Sequence, residues 1–113
     1  MNIQIFGKPK CFDTKKAERW FKERRIKFQS VDLLRYGLSK GEYESVKRAA
    51  GGFQALIDRG SPAYTALFIE HLAHDADKEQ KLLENPALCR SPIVRNGKQA
   101  TVGYCPEVWE TWM

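Results

Sequence analysis

The sequence predicts an α/β fold: a thioredoxin-like mixed sheet, built from a βαβ unit near the N-terminus and a ββα unit at the other end, with an inserted helical subdomain between them. Three observations predict it. The first 35 or so residues read as strand, helix, strand. Residues 91–104 place Asn96-Gly97, a strong hairpin signal, between two β-rich runs, and a short helix follows. The stretch between these two units has apolar residues at helical intervals and no strand pattern. At 113 residues the chain is expected to form one domain, 1–113, with the sheet core over about 1–35 and 88–113 and the helical insertion over about 36–87.

Each element has a local reason. In "NIQIFG" polar and apolar residues alternate over a strand length, and Gly7 with Pro9 ends the run. From Asp13 or Thr14 onward, Ala17, Trp20, Phe21 and the stem of Arg24 recur at helical spacing, so one face packs while the lysines and arginines stay wet. "IKFQSVDLL" reads as the second strand, running on to Leu33, parallel to the first and joined to it by a right-handed crossover. Ser39 with Glu42 three residues on is a capping box, and Gly51-Gly52 stops that helix. Gly60, Pro62 and Pro86 break the following stretch into several short helices. The closing helix starts at Pro106 beside Glu107, with Val108, Trp109 and Trp112 on its packed side.

Charge is distributed unevenly. Of the 19 Lys/Arg, nine lie in residues 8–27, against three of the 14 Asp/Glu, a local excess of +6 that leaves −1 elsewhere. Such a basic helix reads either as a solvated face or as one that attracts an anionic ligand or an acidic partner. No nucleic-acid motif accompanies it, so direct nucleic-acid binding is not expected. The charged N-terminal segment argues against a signal peptide or membrane span, and a cytoplasmic protein is expected. The cysteines, 11, 89 and 105, are odd in number and lack a repeated spacing, which points to reduced thiols without a disulfide framework or zinc site. His71 and His74, with Asp75 and Asp77 following, read as exposed helix polar residues, because no further ligand is indicated.

The chemistry centres on Cys11. It stands at the start of a helix, where unpaired backbone N–H groups and the dipole favour thiolate, with lysines at 8, 10, 15 and 16 around it. Thr14 occupies the position of the second sulfur of a C-x-x-C motif, so exchange between two cysteines within this loop is excluded. Ala17, six residues after the cysteine, stands where a phosphatase loop of the C-x5-R kind needs arginine, which argues against that reaction class. Arg59, in "LIDRG", is the candidate oxyanion or carboxylate holder of the middle region; an ion pair with Asp58 is the alternative.

The segments "IFGKPKCFDTKKAERWFKERRIKFQSVDL", "LIDRG" and "LENPALCRSPIVRNGKQATVGYCPE" together resemble the ArsC-type arsenate reductases and Spx-like proteins, nearly end to end. The resemblance implies a thioredoxin-like fold, a catalytic Cys11, and a cis proline at Pro92 facing it. Ser91 stands where the reductases have the arginine before that proline, Arg90 lies one residue too early, and Tyr104 replaces a hairpin arginine. With Arg59 the closest candidate for the arginine of the middle segment, this counts against arsenate reduction. The reading is of a thiol oxidoreductase that binds no cofactor, takes a small thiol or anionic substrate, and has glutathione or glutaredoxin as reductant. Cys89 is a candidate resolving thiol, with a buried structural cysteine as the favoured alternative. The alternative is a regulatory module that binds RNA polymerase or another acidic protein, as the likeness to Spx implies.

Overall fold

The computed structural model describes residues 1–113. Its sheet holds β1 (Ile3–Gly7), β2 (Phe28–Asp32), β3 (Ile93–Asn96) and β4 (Gln99–Val102) in the order β2-β1-β3-β4. β1 runs parallel to β2 and antiparallel to β3, and β3 and β4 form the antiparallel hairpin. The expected mixed sheet is present, with helices between β2 and β3.

The period-2 alternation of β1 sorts the core into two halves. Ile3 and Ile5 face one side, where α1 (Phe12–Glu23) contributes Ala17, Trp20 and Phe21 and α6 (Pro106–Glu110) contributes Trp109. Trp109 is fully buried, lies edge-on to Trp20 at 5.3 Å and donates its Nε1–H to Thr101 Oγ1 at 2.7 Å. Phe6 faces the other side and joins Leu33, Val46, Leu56, Leu88 and Ile93 under the helical insertion. Gln4, on that same face, is satisfied by Arg95, whose Nη1–H donates to it at 2.6 Å.

The insertion begins with α2 (Leu33–Tyr36), then α3 (Lys40–Ala50), α4 (Pro62–Ala66) and α5 (Asp75–Glu84), with 3₁₀ turns at Phe53–Leu56, Ile69–His71 and Pro86–Leu88. Ser39 and Glu42 make both halves of the capping box, and Gly51 closes α3 in the left-handed region at φ 85°. α5 is tied to α3 by Glu79, which accepts from Tyr43 Oη at 2.5 Å and from Lys47 Nζ at 2.7 Å.

Local readings need correction in three places. β2 stops at Asp32 instead of running to Leu33, because the Asp32 carboxylate accepts the Leu34 N–H and starts α2. The hairpin turn lies one residue later than Asn96-Gly97: Asn96 pairs with Gln99, and Gly97, at φ 61°, takes the first central position with Lys98 the second. In α6 only Trp109 is buried, and Val108 faces solvent at 38 % exposure. No helix is long and apolar enough to cross a membrane.

Candidate active site around Cys11

Cys11 is the N-cap residue of α1, in an extended conformation (φ −92°, ψ 116°), immediately after the loop that leaves β1. Its sulfur lies 3.6 Å from the carbonyl oxygen of Ser91, to which the thiol donates. The Ser91-Pro92 bond is cis, and β3 begins one residue beyond it. The site therefore joins the ends of two adjacent strands of the sheet. Thr14, one turn into α1, is buried; its Oγ1 accepts the Lys8 N–H at 3.4 Å, which holds the loop against the helix.

Burial acts to raise the Cys11 pKa, but it is outweighed, and the thiol lies below its ordinary value. Hydrogen bonds from the Ser91 and Thr14 side chains stabilise the thiolate, and the N–H groups of Thr14 and Asp13 add to them. The two hydroxyls contribute more than the N–H groups, with which the sulfur closes no formal cap hydrogen bond. Short-range hydrogen bonding, and not the lysine field expected from the sequence, thus accounts for the shift. Lys16 is turned away over the Tyr104 ring, 5.6 Å from its centroid.

The other cysteines differ. Burial pushes the Cys89 thiol up to about 12. Cys89 borders a small apolar crevice with Leu33, Leu38, Tyr43, Leu82 and Pro86. Its segment is not part of β3: it makes an isolated bridge with Ile57, so the strand parity that would align it with Ser91 is absent. Cys105 caps α6, yet burial and the nearby Glu107 carboxylate raise its pKa. At Cys105 a hydrogen bond from Thr101 is outweighed by burial and Glu107, whereas at Cys11 the hydrogen bonds outweigh burial.

Cys11 opens onto a depression of about 530 Å³ lined by Lys8, Pro9, Lys10, Leu34, Asp58 and Ser91. The structure brings Cys11, Thr14 and Ser91 together with Pro92, and leaves Arg59, Arg90 and Cys89 outside this lining. Arg59 is exposed, and the middle segment presents the Asp58 carboxylate in its place. Asp58 is held from two sides: its N–H donates to Leu88 O at 2.8 Å, and its Oδ1 accepts the Gly60 N–H at 3.0 Å. The alternative, an Asp58–Arg59 ion pair, is not formed either; the chain's salt bridge is Lys47–Glu79. Arg90 is exposed, and its guanidinium lies beside Gly103. Tyr104 stacks edge-on against Trp109 at 5.5 Å. Sequence reasoning missed Asp58 and Leu34. The Asp-x-Gly spacing of an Asx turn was the available signal for Asp58, since that turn fixes the aspartate and turns the intervening residue outward.

A thiolate-favouring cysteine at the start of the first helix, beside a cis proline at the start of a neighbouring strand, defines a thioredoxin-like α/β protein with a single-cysteine site. More narrowly, the chain belongs to the ArsC family, whose model matches residues 6–112. It is 33% identical over 109 residues to the global transcriptional regulator Spx 2 of Oceanobacillus iheyensis, covering 92% of this chain and 78% of that one. Its fold is similar to that of an arsenate reductase from Vibrio cholerae, with a TM-score of 0.85 at 22% identity over 100% of this chain and 98% of the other. An arsenate reductase (ArsC) related protein from Brucella melitensis superimposes with a TM-score of 0.70 at 20% identity, covering 99% and 94% of the two chains. Both structures bear on the fold.

Proposed function

We propose that this chain is a thiol oxidoreductase working through Cys11 alone, in the cytoplasm, with glutathione or glutaredoxin as reductant and without a bound cofactor. The observation that carries the reading is the contrast among its thiols: Cys11 is lowered and borders an open depression, whereas Cys89 and Cys105 are raised. The Cys11 thiolate attacks one sulfur of a disulfide, the S–S bond breaks, and the other half leaves as a thiolate. A second thiolate then attacks the mixed disulfide at the outer sulfur, restores the Cys11 thiolate and carries that half away as a new disulfide. No second protein thiol is required, which agrees with the burial of Cys89.

Arsenate is a poor fit. The candidate anion holders of the sequence, Arg59 and Arg90, lie outside the depression, and Asp58 lines it. Each charged partner missing from a desolvated anion site costs about 2 to 5 kcal/mol. With glutathione and glutaredoxin supplied, arsenate turnover is expected to be weak or absent, while with glutathione alone a small disulfide is reduced faster than without the protein, and Cys11→Ser removes that acceleration. Arsenate turnover of about 10 per second, abolished in Cys11→Ser, would overturn the preference.

A second reading is favoured by the likeness to Spx 2: a regulatory module docking on RNA polymerase or another acidic protein through the exposed lysines and arginines of α1. Capture of polymerase from cell extract, undiminished by Cys11→Ser and weakened by salt, would support it over the enzyme.

A further inference from the structure

The depression at Cys11 carries both signs of charge. Lys8 and Lys10 stand on the loop before the cysteine, and Asp58, on the middle segment, lines the same depression. None of these forms a salt bridge within the protein. Lys8 Nζ donates to the carbonyl of Ala87 at 3.0 Å, which anchors its ammonium at the rim. The Gly60 N–H fixes Oδ1 of Asp58, and Oδ2 has no protein partner. A ligand that is only an anion meets Asp58 with its own sign, and one that is only a cation meets the lysines. An occupant bearing both an ammonium and a carboxylate satisfies all three, and its short apolar stem has Pro9 and Leu34 to lie against.

From this geometry we infer that the disulfide attacked by Cys11 is of the zwitterionic, amino-acid type, and that Asp58 selects it by pairing with its ammonium group. The inference rests on the proposed thiol–disulfide exchange at Cys11 and names the class of its substrate. In the exchange the attacked half joins Cys11 and the other half departs as an aminothiolate, so the ammonium lowers the leaving thiol's pKa for any aminothiol. That intrinsic advantage is the same with or without Asp58, and a comparison between variants removes it.

The test uses four disulfides: cystine, cystamine (ammonium only), 3,3′-dithiodipropionate (carboxylate only) and 2-hydroxyethyl disulfide (neutral). Formation of the mixed disulfide on the Cys11 peptide is timed by mass spectrometry for the wild type and Asp58→Asn. Asparagine keeps the acceptor for the Gly60 N–H and removes the charge. With rates for each protein normalised to the neutral disulfide, Asp58→Asn is expected to lower cystine and cystamine about threefold, the scale of a partly exposed charge pair, and to raise dithiodipropionate by a similar factor. These effects should shrink in 1 M salt. Relative rates that are the same in both proteins overturn the role of Asp58 while leaving exchange at Cys11 intact. A Cys11 that reacts with iodoacetamide but with none of the disulfides overturns the exchange reading itself, and the inference with it.

Discussion

Replacing Gly7 with alanine tests how β1 and α1 are fitted together behind the active site. A β-carbon at Gly7 would stand 2.2 Å from Thr14 Cγ2, 2.8 Å from its Oγ1 and 3.0 Å from its Cβ. The closest approach lies 0.8 Å inside the 3.0 Å limit that real Cβ atoms respect. Thr14 cannot withdraw easily, being 7% exposed and β-branched, and Gly7 is fixed opposite Asp32 in the parallel pair. Overpacking of this kind costs about 1–3 kcal/mol, offset by about 0.4–1 from the stiffer unfolded chain. A net loss of roughly 1–2 kcal/mol should appear as an earlier urea midpoint with unchanged slope. Because the displaced hydroxyl is one that stabilises the Cys11 thiolate, alkylation of Cys11 at neutral pH should slow in the same variant. Adding Thr14→Ala takes away the two atoms that crowd the new methyl most, so the double mutant should be more stable than the sum of the single changes predicts. If Gly7→Ala unfolds at the same urea concentration as the wild type or a higher one, the steric reasoning is wrong.

Other perturbations test separate parts of the molecule. Thr14→Val keeps the shape of the side chain and removes its hydroxyl; after allowance for solvent screening it should weaken the thiolate by about 1 kcal/mol, shifting the pH profile of iodoacetamide alkylation upward. In the folded wild type near neutral pH, Cys11 should alkylate faster than Cys89 or Cys105, as peptide mapping would show, since Cys89 is held at about 12 and Cys105 is raised. Trp109→Ala should cost about 3–5 kcal/mol in urea denaturation, because it empties the most central site between α1 and the hairpin. Glu79, held below the usual carboxylate value by hydrogen bonds from Lys47 and Tyr43, contributes stability that is present above its unfolded pKa and disappears as the pH falls through its lower folded one. Glu79→Gln should therefore flatten the acid limb of the stability curve below about pH 4.

Most of the fold is legible where chemistry is local. The alternation of "NIQIFG", the Ser39–Glu42 box and the glycines after α3 each satisfy their own backbone, so the sequence alone locates them. Legibility ends where one side chain has two uses. Leu33 and Leu34 continue the apolar pattern of β2, but Asp32 just before them can also cap a helix, and it does. At the active site, Cys11 is found from its place before a helix, and Thr14 and Asp13 are its neighbours, whereas Ser91, the other partner that tunes it, lies 80 residues away. Arg59 stands out by its charge alone. Its neighbour Asp58 enters the depression because the backbone exchange around Ile57 and Cys89 fixes which residue of this segment turns inward, a pairing that no window of adjacent residues reveals.

The position of β1 in the sheet bears on how the chain matures during synthesis. β2, on one edge of β1, follows it closely in the chain, whereas the other edge is filled by the distant β3, which sets Asn96 opposite Ile3 and Ile93 opposite Phe6. Until that segment has left the ribosome, β1 has one bare edge and Cys11 has no Ser91 beside it. The nascent βαβ unit therefore holds the Thr14 and Asp13 groups that favour the thiolate but lacks the Ser91 one, which is added only when the hairpin docks. The full tuning of residue 11 is in this sense a property of the finished sheet, completed only when the last-made strands take their place beside β1.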